Sequence, residues 1–286
     1  MRMENEKILP LGTLFRLTQF KPERLAFLHE VGMNACQFCG IDDNYLSGPE
    51  GAENTKRLAD ALAEYEITPV SLFFSFPSQN WSPDRAVNTV GMTRLSVRAN
   101  RFASAARQMN WGLKHFGIRH LLCHVGFLPE DETEFAHFID DLREFCRLAR
   151  DNGQYFLFET GPETDLEVKK CIDMLGLDNV GINLDPANLL IYDKTEPLDF
   201  VESLGEYVLG VHCKDACRPV GGALRGKETP LGKGDTRFGE VMEKLYRKGF
   251  RGPLIIEREI PPGPEQDADI RSAMAYLLKL RSSLMR

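Results

Sequence analysis

Four side chains in this sequence have the types and spacing to do chemistry together. Glu159 closes the apolar run of FLFETG, Asp185 that of GINLDPAN, His212 that of GVHCKDA and Glu257 that of LIIERE. Each sits where a short apolar stretch gives way to a polar one. Three carboxylates and one imidazole form an oxygen-rich donor set with a single nitrogen. Such a set suits Mn²⁺ or Mg²⁺, tolerates Co²⁺ or Zn²⁺, and is a poor match for soft ions. Four protein ligands leave room on an octahedral ion for two vicinal oxygens of a sugar or hydroxyketone. A metal held there would act as a Lewis acid on a carbonyl and stabilise an enediolate. A carboxylate on each face would move the proton. One strand ending in an acid is common, because strand ends reach water, and a lone histidine is more often a satisfied, partly buried one. The joint pattern is much harder to obtain by chance.

The elements that must position these residues alternate along the whole chain. Apolar runs at 11–15, 33–38, 69–74, 119–125, 155–159, 180–184, 208–213 and 253–257 read as strands. Their nearly continuous apolar character fits parallel strands covered on both faces. Helical patterns fill the intervals at 22–31, 52–65, 86–116, 132–151, 164–175, 197–206, 236–248 and 267–284. In 132–151, Phe135, Phe138, Ile139, Leu142, Phe145 and Leu148 make a stripe of helical period, and Asn152-Gly153 ends it. Such alternation predicts an α/β protein with parallel strands and right-handed crossovers. Eight repeats predict a single (β/α)8 TIM barrel rather than an open sheet. No GxGxxG follows the first strand, no GxxxxGK[ST] occurs, and no linker divides the chain, so residues 1–286 read as one domain. A barrel gathers its active site at the C-terminal ends of its strands. Glu159, Asp185, His212 and Glu257 would then come from strands five to eight.

Composition narrows the function. The chain has 286 residues, 35 basic and 42 acidic, for a net charge of −7. Nucleic-acid binding uses a basic face, so none is expected. At 43% hydrophobic and 27% charged the chain is of ordinary globular composition. No apolar run approaches the ~18 residues of a membrane span. MRMENEKILP carries charge where a signal peptide needs its apolar stretch. The expectation is a cytoplasmic protein without a membrane partner, its seven cysteines reduced. Cys36-x-x-Cys39 has no second pair to complete a zinc site and reads as structural, with one thiol on each face of a strand or in the turn after it.

With these motifs the chain resembles the sugar isomerase/epimerase superfamily, the xylose-isomerase-like barrels that include ketose 3-epimerases, hydroxypyruvate isomerases and inosose dehydratases. FLFETG, GINLDPANLL, GVHCKDA and LIIERE are similar to that family's metal-binding strand ends. The resemblance implies that Glu159, Asp185, His212 and Glu257 bind one divalent ion, Mn²⁺ before Mg²⁺, Co²⁺ or Zn²⁺. In the ketose 3-epimerase branch the two metal-bound glutamates also serve as acid and base, a role that falls on Glu159 and Glu257. That branch has an acidic substrate contact six residues after the first metal Glu, here Asp165 in place of Glu. It has an Arg six residues after the metal His, here Arg218. It usually has a His three residues after the metal Asp, where this chain has Asn188. The departure leaves an uncharged polar contact and points to a change of substrate or of reacting carbon. The resemblance also suggests a homodimer or homotetramer.

Other positions follow from the residues themselves. His124, in LLCHVGF near the end of the fourth strand, reads as a sugar-hydroxyl contact or a general acid, against a histidine that merely caps the strand. Lys214 lies two residues beyond His212, on the same inward face if the strand continues. It would polarise a carbonyl or pair with a carboxylate. Glu259 shares parity with Glu257 and reads as a loop charge. Residues 216–235 form a long Gly-rich connection with Arg218, Arg225, Lys227 and Lys233. It reads as a lid or as a mobile loop. Phosphate commonly binds around these loops in barrels. The following loop, REIPPGPEQDAD, is acidic and offers no Gly-rich helix start to cradle one. Phe15, Phe74, Phe76 and Trp81 follow strands one and three and would line the pocket. The sequence therefore reads as a divalent-metal-dependent isomerase or epimerase of a sugar, keto-sugar or sugar phosphate. The nearest rival is a dehydratase or lyase acting on a keto-sugar, keto-glycoside or inosose through the same enolate. An apurinic endonuclease would need further His and acidic ligands and a basic surface. A silent sugar-binding protein would have no use for an intact quartet.

Overall fold

The computed structural model describes residues 8–286; residues 1–7, on which most of the signal-peptide argument falls, lie outside the described part. The chain runs β1 (Leu11–Arg16), α1 (Pro22–Glu30), β2 (Ala35–Cys39), α2 (Asp43–Leu46), α3 (Gly48–Glu64), β3 (Thr68–Phe73), α4 (Ala86–Thr89) and α5 (Leu95–Phe116). It continues through β4 (His120–Cys123), α6 (Glu132–Asp151), β5 (Tyr155–Glu159), α7 (Asp165–Leu175), β6 (Val180–Leu184), α8 (Pro186–Ile191) and α9 (Pro197–Leu204). Then come β7 (Val208–Cys213), β8 (Asp215–Cys217), β9 (Lys227–Thr229), α10 (Phe238–Arg247), β10 (Leu254–Ile256) and α11 (Pro264–Leu284). Eight strands close a parallel barrel in the order β1-β10-β7-β6-β5-β4-β3-β2. The closing seam pairs Leu11 with Leu254 and Thr13 with Ile256.

Strand alternation decides what faces the barrel axis. In β5, Phe156 and Phe158 pack outward, Phe156 reaching Phe145 of α6. Leu157 and Glu159 therefore point inward. The same parity puts Asn183 and Asp185, Gly210 and His212, Ile255 and Glu257 on the inner face. Leu254 and Ile256 join the outer apolar core. Leu157 and Ile255 share the barrel interior with the buried polar Gln37, Ser71 and Asn183, and the acids emerge where the strands end.

Two helices differ from their sequence patterns. The segment 86–116 is not one helix: it breaks over 90–94 between α4 and α5. Gly91 takes φ +77°, and a Cβ there would lie 2.0 Å from the Val125 oxygen. The Met92 and Thr93 amides donate to that same oxygen at 2.6 and 3.2 Å. Buried Arg101 reaches back to the Gly91 and Thr89 carbonyls. Tertiary hydrogen bonds thus override a helical pattern. Helix α3 begins at Gly48, earlier than the apolar spacing shows, because Pro49 in its first turn starts it.

Residues 216–235 do not form a free loop. Strands β8 and β9 pair as an antiparallel hairpin, Asp215 opposite Thr229 and Cys217 opposite Lys227. Buried Asp215 ties down its base, accepting from the amides of Gly232 (2.9 Å), Gly234 (3.0 Å) and Thr236 (3.2 Å) and from the Thr236 hydroxyl (2.7 Å). All seven cysteines are free thiols. Cys36 belongs to the apolar core, and burial pushes the Cys39 thiol up to about 12. No helix among the described residues is long and apolar enough to cross a membrane.

Candidate metal centre

Glu159, Asp185, His212 and Glu257 each offer a ligand atom, and these atoms lie within 4.8 Å of one another. They come from the adjacent strands β5, β6, β7 and β10, so the two glutamates stand at the ends of the arc with Asp185 and His212 between them. Each of three residues is anchored through one polar atom and keeps the other free. Asp185 Oδ1 caps α8, accepting from the Ala187 (2.9 Å) and Asn188 (3.1 Å) amides, and Pro186 starts that helix. Glu159 Oε2 accepts from Asn183 Nδ2. Gly210 makes room for this contact, since a Cβ there would sit 2.5 Å from Asn183 Oδ1. His212 Nε2 meets Gln37 Oε1 at 2.8 Å, and Gln37 Nε2 donates to Ser71 at 2.8 Å. That arrangement makes Nε2 the donor and leaves the Nδ1 lone pair for the centre.

The free atoms are buried Glu159 Oε1, Asp185 Oδ2 and His212 Nδ1, none with a hydrogen-bond partner of good geometry. Nδ1 lies 2.7 Å from Glu159 Oε1 and 3.1 Å from Glu257 Oε2. Acceptors so close, away from water, demand a positive charge among them. Burial pushes the carboxyls of Glu159 and Asp185 above the usual carboxylate range, Asp185 to about 8. Burial opposes a charged His212, yet Glu159 and Glu257 raise its pKa well above the ordinary imidazole value. Burial would also raise Glu257, but Lys214 and His212 outweigh it and hold that carboxyl well below its usual range. A proton on His212 Nδ1 cannot serve Asp185 Oδ2, which is 4.0 Å away. A divalent cation would serve all of them and would balance three carboxylates offset by one lysine. The donor set fits Mn²⁺ or Mg²⁺.

Lys214 is buried and points inward as its parity predicts. Its Nζ lies 3.3 Å from Glu257 Oε2 and 3.5 Å from Asp185 Oδ2, and it donates to Glu259. A cavity of about 430 Å³ opens beside the quartet, reaching it at Glu257. His124, Asn188, Lys214, Glu257, Phe74, Phe76 and Trp81 line it, so the structure brings these predicted residues together. Trp81 packs edge-on to the His124 ring at 5.0 Å, and Asn188 Nδ2 donates to the Thr160 carbonyl at 3.0 Å. Phe15 lines a neighbouring cavity instead.

Asp165 and Arg218 lie apart from that lining. The capping box of Thr164 and Glu167 starts α7 at Asp165. The Asp165 side chain therefore accepts from Thr195 (3.3 Å) and Ser203 (3.0 Å) beside α9. Arg218, where the hairpin's turn leaves β8, pairs with Asp193 (2.5 Å) and Glu196. Arg225, at the other end of the same turn, reaches the pocket instead. It donates to the Trp81 carbonyl at 2.8 Å and lies 4.7 Å over the Tyr192 ring. Spacing from a metal ligand cannot show which arginine a hairpin turns inward. Gln37, Asn183 and Phe73 were also missed, although single polar residues inside ACQFC and VGINL are a usable signal.

Glu163 was missed too. It is buried, neither of its carboxylate oxygens has a hydrogen-bond partner, and burial pushes it up to about 8. In the unfolded chain it titrates near ~4.3. The folded state therefore holds a proton that the unfolded state releases. Its contribution is fully present below the unfolded pKa and falls as pH rises towards 8, by about 1.4 kcal/mol per pH unit. Glu163→Gln should flatten the melting-temperature profile between pH 5 and 8 and make the variant the more stable form at pH 8. Thermal melts with parallel profiles for the two proteins would contradict this.

Comparison with known proteins places the chain. A model of the xylose isomerase-like TIM barrel matches residues 25–280. The rhizopine catabolism protein MocC of Rhizobium meliloti is 28% identical over 165 residues, 52% of this chain and 50% of that protein. An inosose dehydratase of Clostridium perfringens is 23% identical over 167 residues, 53% of this chain and 54% of that one. The chain spans about half the length of the curated relatives it matches. Among solved structures, a xylose isomerase domain protein from Planctomyces limnophilus superposes with a TM-score of 0.87 at 24% identity, covering 97% of this chain and 98% of that one. A xylose isomerase-like TIM barrel protein from Mycobacterium smegmatis, in complex with magnesium, gives 0.75 at 16% identity over 97% and 98%. A D-tagatose 3-epimerase-like protein gives 0.74 at 19% over 96% and 98%. At these identities the structures share the fold. With the family model matched over most of its length, the chain belongs to the xylose isomerase-like TIM-barrel family.

Proposed function

We propose that the protein is a divalent-metal-dependent isomerase or epimerase of a keto-sugar, working by proton transfer through an enediolate. The observation that carries this reading is the convergence of Glu159, Asp185, His212 and Glu257 beside a cavity of sugar-binding size that Glu257 lines. A bound Mn²⁺ or Mg²⁺ would supply Lewis-acid stabilisation of the charge that develops on the substrate oxygens. Glu257, kept ionised by Lys214, takes the proton from the carbon beside the carbonyl. Glu159, at the other end of the arc and oriented by Asn183, returns a proton from the opposite side. His124 and Asn188 orient hydroxyls, and Trp81, Tyr192 and Arg225 cover the mouth and exclude water.

A second reading is dehydration of a keto-sugar or inosose. It has support in the matched inosose dehydratase and in Asn188, which stands where a ketose 3-epimerase would have histidine. The first proton abstraction is the same, and the leaving of water replaces reprotonation. Both readings are tested by NMR of the Mn²⁺-loaded protein with ketoses, ketose phosphates and inososes in D₂O. The expected result is deuterium entering one carbon of one sugar, with loss of water marking the dehydratase. Conversion of a sugar without deuterium uptake would count against exchangeable proton transfer.

A further inference from the structure

Two buried polar side chains on neighbouring segments lack partners, and both converge on Gly161. His124 follows β4 directly, and its Nδ1 is sealed from solvent without a hydrogen bond. Glu163 lies just beyond the end of β5 and is only 5% exposed. Neither of its carboxylate oxygens has a partner. A Cβ on Gly161 would lie 3.1 Å from His124 Nδ1 and 3.3 Å from Glu163 Oε2. The two atoms thus flank the face of Gly161 that any other residue would cover with a side chain. They do not bond each other directly. Two such groups around one buried spot are what a bridging water needs. We propose that Glu163, as a carboxylic acid, donates through one water to His124 Nδ1 and so fixes the imidazole proton on Nε2, where it donates to a substrate oxygen. The donation to substrate rests on the keto-sugar reading above; the tautomer does not.

The fold by itself gives Glu163 no reason to be an acid. It directly precedes the Thr164 cap of α7, and Val168, the fourth residue of that helix, is buried. An apolar residue in that place packs against Val168 as a hydrophobic staple. A buried, unpartnered carboxyl there only costs stability. His124 is placed to use it. Trp81 and Phe73 hold its ring from two sides, at 5.0 and 5.5 Å between centroids. The residue lines the metal pocket, and with Nδ1 buried, Nε2 is the nitrogen the cavity reaches. Burial lowers the imidazole to about 4, and Glu257, Lys214, Glu259 and His212, the other charged groups in reach, do not reverse it. The ring is therefore neutral, with one nitrogen a donor and the other an acceptor. Burial also holds the proton on Glu163 up to about pH 8, against Lys194 and the Gly161 and Glu163 amides. An acid behind Nδ1 makes Nδ1 the acceptor and Nε2 the donor. A neutral N–H aimed into the cavity stabilises charge developing on a substrate oxygen.

The test is ¹⁵N NMR of the histidine-labelled, Mg²⁺-loaded protein at neutral pH, with His124 assigned by the signals lost in His124→Gln. The wild type should show Nδ1 unprotonated and Nε2 protonated. Glu163→Gln should show the same, because its amide N–H replaces the acid as donor. Glu163→Leu, which suits the staple position, should lose that preference. It should also lower kcat about tenfold, the worth of one hydrogen bond. A wild-type ring protonated on Nδ1 would overturn the proposal, whether or not the leucine variant folds. So would a folded Glu163→Leu with the wild-type tautomer, even if its kcat fell, since Glu163 would then act only on the structure. Failure of every keto-sugar to exchange would refute the reading above, while the spectra would still decide the link between Glu163 and His124.

Discussion

Glu257→Gln should lower kcat by roughly 10³-fold or more, the range lost when a positioned general base is removed. The substitution keeps the shape of the side chain and takes away one charge and one basic oxygen. Its surroundings favour the ionised form, since Lys214 Nζ lies 3.3 Å from Glu257 Oε2. Lys214 keeps Glu259 and Asp185 as partners, so the variant leaves no unpaired buried cation. The fold should survive, and a thermal melt run beside the assay checks that. A folded variant within about tenfold of the wild-type rate would exclude Glu257 as the base.

The metal quartet was legible because it follows from parity and strand ends. FLFETG, GINLDPAN, GVHCKDA and LIIERE each announce their own strand. Alternation then fixes Glu159, Asp185, His212 and Glu257 on the inner face at one end of the barrel. His124 and Lys214 lie close enough to strand ends for the same argument to hold, whereas Asn188, placed by its spacing from Asp185, lines the pocket from helix α8. Residues farther along the loops escaped it. Asp165 and Arg218 were placed by counting from a ligand, but a capping box turns the first towards α9, and the second pairs with Asp193 and Glu196 where the hairpin's turn begins. Arg225 enters the pocket only because β8 and β9 pair, a non-local event with no local signature. The break between α4 and α5 is of the same kind. It depends on the Val125 carbonyl, which the helical pattern of 86–116 cannot report. Glu163 and Gln37 stand apart, since their importance lies in burial and in missing or shared partners rather than in spacing.

The claim on which everything else depends is that four side chains hold one divalent ion. Asp185→Asn isolates it well. Asparagine caps a helix as effectively as aspartate, so Oδ1 can still accept from the Ala187 and Asn188 amides while the charge at Oδ2 is gone. Calorimetric titration of Mn²⁺ into the wild-type protein and this variant is the most direct measurement. The account predicts one ion bound per wild-type chain and an affinity at least about 100-fold weaker in Asp185→Asn, a loss of about 2.8 kcal/mol. Absence of binding to the wild-type protein, or equal affinity in the two, would contradict it.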